Sequence, residues 1–73
     1  MDYKKAFPKR LTEARKEAGK TQDEMAILID ISRPSYTQYE TGVNFPKFEN
    51  LIKIAQILNV SLDYLAGLSN KKN

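Results

Sequence analysis

The chain has 73 residues, no cysteine, no histidine and a formal net charge of +3. That length supports one core and excludes a second, and the missing thiols and imidazoles remove disulfides, thiolate chemistry, the commonest metal ligand and the commonest general base. A zinc site would need four carboxylates, so no metal or cofactor is expected, and binding rather than catalysis is the default role.

The first predicted helix runs from about Pro8 to Ala18, because proline suits a first turn, where its missing N–H has no helical partner anyway. Phe7, Leu11, Ala14 and Ala18 then share one face, and Gly19 ends the helix. Thr21-Gln22-Asp23-Glu24 has the spacing of a capping box and opens a second helix through Met25, Ala26, Leu28 and Ile29. Asp30, a residue that tolerates left-handed backbone, interrupts it. Ser32 caps a third helix, with Arg33 and Pro34 in its first turn, Tyr36, Tyr39 and Glu40 following, and Gly42 closing it. Val43 to Pro46 reads as loop. A fourth helix spans about Lys47 to Leu58, with Phe48, Leu51, Ile52, Ala55 and Leu58 on one face, and Asn59 stops it. Ser61 caps a fifth, Leu62 to Ala66, before Gly67. No run alternates with period two long enough for a strand. The expectation is an all-α fold of five short helices, one domain over residues 1–68, with residues 69–73 as a frayed polar tail.

The longest apolar run, Ala26-Ile27-Leu28-Ile29, is far short of the ~20 residues of a membrane span. The charged start MDYKKAFPKR has no apolar signal core. The sequence therefore reads as cytoplasmic, without a membrane role. Charge is uneven: residues 1–20 carry seven Lys/Arg against three acids, and residues 21–42 one Arg against four. A basic amino-terminal segment suits a polyanion, but the second and third helices are net acidic, so any affinity there must come from directed contacts.

Two short helices joined tightly, the second with a small polar outer face, suggest a helix-turn-helix. The span Leu11 to Leu65 resembles the Cro/repressor-type, or Xre-like, family of lambda-repressor-like DNA-binding domains. The residues that carry the resemblance are TQDEMAILIDISRPSYTQYETG, a loop with Pro46, and LIKIAQILNVSLDYL. Ala26 stands where that family needs a small residue at the helix crossing, Glu40 and Gly42 match its Glu-x-Gly ending, and Arg15 holds a position that pairs with that Glu. Asp30 departs from the usual turn glycine, Tyr36 and Tyr39 from the usual aliphatics, and Phe45 from the usual polar residue. The two tyrosines read as core residues whose hydroxyls need a partner, solvent or a phosphate.

The resemblance implies a DNA-binding transcriptional regulator, a repressor by occupancy, and no enzyme. It places double-stranded DNA against Arg33, Pro34, Ser35, Thr37 and Gln38 as base contacts. Arg33 suits guanine O6/N7 and Gln38 adenine N6/N7. Gln22, Thr41, Asn44 and Lys47 would meet the backbone, and Lys9, Arg10 and Lys20 would add weak attraction. Arg15–Glu40 would be a structural ion pair. A homodimer is expected, meeting through the apolar carboxy-terminal region with Leu58, Asn59, Val60, Tyr64 and Leu68, together with the loop before the fourth helix. Two other readings fit the same sequence: an antitoxin-type autoregulator that binds a toxin partner, and a helical interaction module without a DNA role.

Overall fold

Local chemistry fixes where each helix begins and ends. In the computed structural model, which describes residues 2–73, they are α1 (Tyr3–Glu17), α2 (Gln22–Ile29), α3 (Arg33–Thr41), α4 (Phe48–Leu58) and α5 (Leu62–Ala66). No strand occurs among the described residues, and none of their helices is long and apolar enough to cross a membrane. Met1, the first residue of the expected domain, lies outside them.

Thr21 Oγ accepts from the Glu24 amide at 3.0 Å and the Glu24 carboxylate accepts from the Thr21 amide at 2.8 Å, so the capping box is complete. The Thr21 amide and then its hydroxyl hold the Glu24 carboxyl below its usual range. Ser32 and Ser61 cap α3 and α5 through the amides of Ser35 and Tyr64. Asp30 (φ 68°) and Asn59 (φ 55°) end α2 and α4 in the left-handed region. Past each, the next amide reaches back, Ile31 to Ala26 O and Val60 to Ala55 O, both at 3.0 Å.

Three expectations about the helices are corrected. α1 begins at Tyr3, capped by the Asp2 carboxylate on the Lys4 amide, so Pro8 lies inside the helix rather than in its first turn. Ala18 is exposed, not part of the buried face. On α4 the buried stripe is Leu51, Ile54, Ala55 and Leu58, while Phe48 is exposed. Apolar residues cover more than half the circumference of α4, with Glu49, Asn50, Lys53 and Gln56 on the other side, so the sequence offers two overlapping stripes, and packing selects the one that includes Ile54.

The core is built from Phe7, Leu11 and Ala14 of α1, Met25, Ala26 and Ile29 of α2, Tyr36 and Tyr39 of α3, and Ile54, Leu58, Val60, Tyr64 and Leu65 behind them. Ala26 is buried where α2 and α3 pack. Gly42 ends α3 at φ 80°, and a Cβ there would stand 3.3 Å from Pro8 Cγ, so it serves both backbone conformation and close approach. Gly67 is tighter still: a Cβ would sit 2.7 Å from Ala6 Cβ.

The carboxy-terminal residues turn back on α1 instead of fraying. Arg10 lies over the Tyr64 ring, Cζ 4.4 Å from its centroid. Its Nη1 donates to Tyr64 O at 3.1 Å and to Ser69 O at 2.6 Å, and its Nη2 to Asn70 Oδ1 at 2.9 Å. The Ser61 amide donates to Lys72 O, and Lys72 pairs with Glu17. Arg10, expected only to add weak attraction for DNA, is a clamp, because a planar guanidinium stacks on an aromatic face while its edge serves carbonyls.

Candidate nucleic-acid interface

The third helix turns one face inward, and that face ends in a buried carboxylate. The Glu40 side chain is 5% exposed and that of its partner Arg15 12%. Glu40 Oε2 accepts from Arg15 Nε at 2.6 Å and from Tyr36 OH at 2.5 Å. Its Oε1 accepts from Arg15 Nη2 at 3.2 Å, Gln22 Nε2 at 3.0 Å and Thr12 Oγ1 at 3.1 Å. Arg15 Nη1 also holds the Lys20 carbonyl at 2.9 Å. One carboxylate thus ties α1, the α1–α2 turn, the start of α2 and the end of α3 together.

Burial opposes ionisation of Glu40, but the hydrogen bonds from Arg15, Tyr36 and Gln22, with the Arg15 charge, outweigh it and hold the carboxyl below its ordinary 4.5. The hydrogen bond to Glu40 raises Arg15. Burial, then the Glu40 carboxylate, push the Tyr36 phenol far up. The tyrosines resolve as core residues with protein partners: Tyr36 is fully buried against Glu40, and Tyr39 OH accepts from Asn50 Nδ2 at 3.3 Å. Their rings meet edge to face, centroids 6.1 Å apart.

The opposite face of α3 carries Arg33, Pro34, Ser35, Thr37, Gln38 and Thr41, exposed or half-buried. Arg33 is already engaged. Its Nε and Nη2 donate to Gln22 Oε1 at 3.1 and 2.9 Å, and its Nη1 to Asp23 Oδ1 at 2.6 Å. Thr37 Oγ1 donates to the same Gln22 oxygen at 3.3 Å. Gln22 therefore links the buried carboxylate to the exposed helix face. The sequence presents Asp23 only as part of a capping segment; its bond to Arg33 joins residues ten apart on different helices, which no local pattern signals. Ser35 Oγ accepts from Ser32 Oγ at 2.9 Å. Pro34 stands in the first turn of α3. Thr41 Oγ1 donates to Gln38 O at 3.3 Å.

Asn44 folds back onto α3: its Nδ2 donates to Gln38 Oε1 and its amide to Gln38 O. Beside them a groove of about 280 Å³ runs between α3 and the start of α4, lined by Ser35, Gln38, Asn44, Lys47 and Asn50 with Tyr39 and Phe45. Lys47 is exposed and occupies the N-cap position of α4 without a capping side-chain bond. The first-turn amides of α4 are thereby left to an outside acceptor. Phe45 is braced from behind by Tyr3 and Phe7, at ring distances of 5.8 and 6.0 Å.

The expected face between two copies is corrected. Leu58, Val60 and Tyr64 are buried in the core of a single chain; α5 packs its apolar side on α1 and α4 and consumes them. Asn59 and Leu68 remain exposed. Among the described residues, the other exposed large apolar side chains are Tyr3, Ile27, Leu28, Val43, Phe45 and Phe48.

The family described as Helix-turn-helix matches residues 11–65. The chain is 48% identical over 67 residues to an uncharacterized HTH-type transcriptional regulator, YqaE, of Bacillus subtilis (strain 168), covering 90% of this chain and 58% of that protein. It is 50% identical over 58 residues to the cryptic phage CTXphi transcriptional repressor RstR of Vibrio cholerae serotype O1, covering 80% and 52%. It is 42% identical over 67 residues to the HTH-type transcriptional regulator ImmR of B. subtilis (strain 168), covering 89% and 53%. The chain spans between half and three-fifths of the length of these relatives. No solved structure matches it significantly.

Proposed function

This chain belongs to the helix-turn-helix family, and from that premise we propose that it is a sequence-specific DNA-binding transcriptional repressor of the cytoplasm. Its third helix enters the major groove of an operator. What carries the reading is the two-faced build of α3, anchored behind by Glu40 and bearing Arg33, Ser35, Thr37 and Gln38 in front. An α-helix fits the major groove, and its amino-terminal residues meet base edges. Arg33 offers two donors to guanine O6/N7, and Gln38 pairs with adenine once Asn44 yields its oxygen. Pro34 and Thr37 pack against a thymine methyl. The start of α2, with Gln22, and the start of α4, with Asn44 and Lys47, take phosphates on either side, while Thr41 reaches the backbone near the end of α3. Repression follows from occupancy of a promoter, a reading supported by the phage relative being a transcriptional repressor.

The molecule measures 29 × 23 × 20 Å, the size of one half-site. Two copies meet on DNA, with half-site centres about 34–36 Å apart. The exposed Val43, Phe45, Phe48 and Leu68 supply the apolar surface for that contact. Selection from a random duplex library of about 30 base pairs at moderate salt tests the whole reading. An enriched inverted repeat is the expected result. A single short half-site keeps DNA recognition and removes the dimer. No enrichment by folded protein overturns the proposal.

A further inference from the structure

Arg33 and Asp23 are both well exposed, with side chains 49% and 67% accessible. Such a pair adds little to stability, because water screens it. Yet the guanidinium is held at two points. Gln22 cannot turn its amide: Nε2 must donate to the Glu40 carboxylate, which leaves Oε1 for the Arg33 Nε and Nη2 donors. A single acceptor oxygen leaves the guanidinium plane free to pivot, and the Asp23 carboxylate on Nη1 stops it. Of five N–H groups, three are used, and one remains on each terminal nitrogen, so donors are left over for a base edge.

We propose that Asp23 is a positioning residue for sequence selectivity: it fixes the Arg33 guanidinium for a base contact and cancels its charge toward phosphates. This rests on the DNA-binding reading above. An acid in the first turn of a helix that approaches a phosphate lowers affinity for every duplex. The loss is smallest for the duplex whose base edge satisfies the fixed guanidinium, so selectivity rises as general affinity falls. The neighbouring Glu24 makes an internal comparison. It carries the same charge one residue on, but its carboxylate is bound to the Thr21 amide and its side chain does not reach Arg33. Glutamine keeps that capping box, so Glu24→Gln removes a charge without touching Arg33.

The experiment compares wild type, Asp23→Asn and Glu24→Gln on two duplexes: one recovered by wild-type selection from the random library, and a scrambled duplex of the same composition. Glu24→Gln strengthens both to the same degree and leaves their ratio unchanged. Asp23→Asn strengthens the scrambled duplex most, and the ratio falls about tenfold. On that duplex the slope of log affinity against log salt steepens by about 0.9, as the released guanidinium takes one phosphate. If Asp23→Asn behaves as Glu24→Gln does, or weakens both duplexes equally, the positioning role is overturned while DNA recognition stands. If wild type selects no duplex at all, the DNA-binding reading falls and this inference falls with it.

Discussion

The protein contains two arginine–carboxylate pairs of the same length, 2.6 Å, in opposite surroundings. Arg15–Glu40 is almost wholly enclosed, and Arg33–Asp23 lies in solvent. The first has every carboxylate oxygen saturated by fixed donors, and removing either partner strands a charge in a place that cannot hydrate it. The second loses little when broken, because water replaces each partner. Distance alone ranks them equal; burial separates a pair that holds the fold from a pair that the fold can do without. Gln22 touches both, bonding to Glu40 with its nitrogen and to Arg33 with its oxygen.

The contrast is sharpest in the effect of neutralising each acid. Glu40→Gln lowers the unfolding free energy by about 3–5 kcal/mol, comparable with the whole stability of a domain this small, ~3–5 kcal/mol; urea titration reads it. A loss below about 1 kcal/mol would put the two pairs in one class.

The same residue gives a pH signature. Because folding lowers its pKa, the unfolded chain takes the proton first. The Glu40 contribution is complete above the ordinary value of 4.5 and disappears as pH falls through the lower folded value. Melting temperature against pH in wild type and Glu40→Gln therefore converges in acid, and parallel curves would assign the acid sensitivity to other carboxyls.

On the exposed side, Arg33→Ala leaves melting nearly unchanged and costs about 1–3 kcal/mol on the selected duplex, with relaxed preference at one base step. Equal loss on all sequences would make Arg33 a phosphate ligand. Arg10→Ala destabilises by about 1 kcal/mol and speeds amide exchange at Ser61 and over 69–72; unchanged exchange would show that the tail holds without its clamp. Smallest of all, Lys47→Ala weakens binding on every sequence and lowers the salt slope by about 1, and a sequence-selective loss would contradict its backbone role.

Much of the fold is legible in the sequence because helix boundaries are local. Thr21 with Glu24, Ser32, Asp30, Asn59, Ser61 and Gly42 each act within a few residues of themselves, and each sits where the chain changes direction. The start of α1 is not legible from Pro8, because Asp2 caps the helix a turn and a half earlier and the tertiary fold tolerates the proline. The carboxy-terminal face misleads for a physical reason: an apolar segment looks the same whether a partner or the chain's own core covers it. Here α1 and α4 cover Tyr64 and Leu65. The clamp at Arg10 and the hold on Arg33 are invisible for the same cause, since their partners lie 54–60 and 10–11 residues away.

Pro8 has a further effect on how the molecule opens. Without an N–H it leaves the Lys4 carbonyl with no amide to close that turn, so the ladder of α1 is interrupted between its first turn and the buried stretch from Leu11 onward. Residues 3–5, exposed and ahead of the core residue Phe7, are then the part of α1 expected to open at a lower free energy than global unfolding. Tyr3 belongs to that turn, and with Phe7 it is one of the rings that steady Phe45. Because Tyr3 steadies Phe45, hydrogen exchange in the loop before Lys47 is expected to follow that of the amino-terminal turn, and exchange that follows α4 instead would disconnect the two.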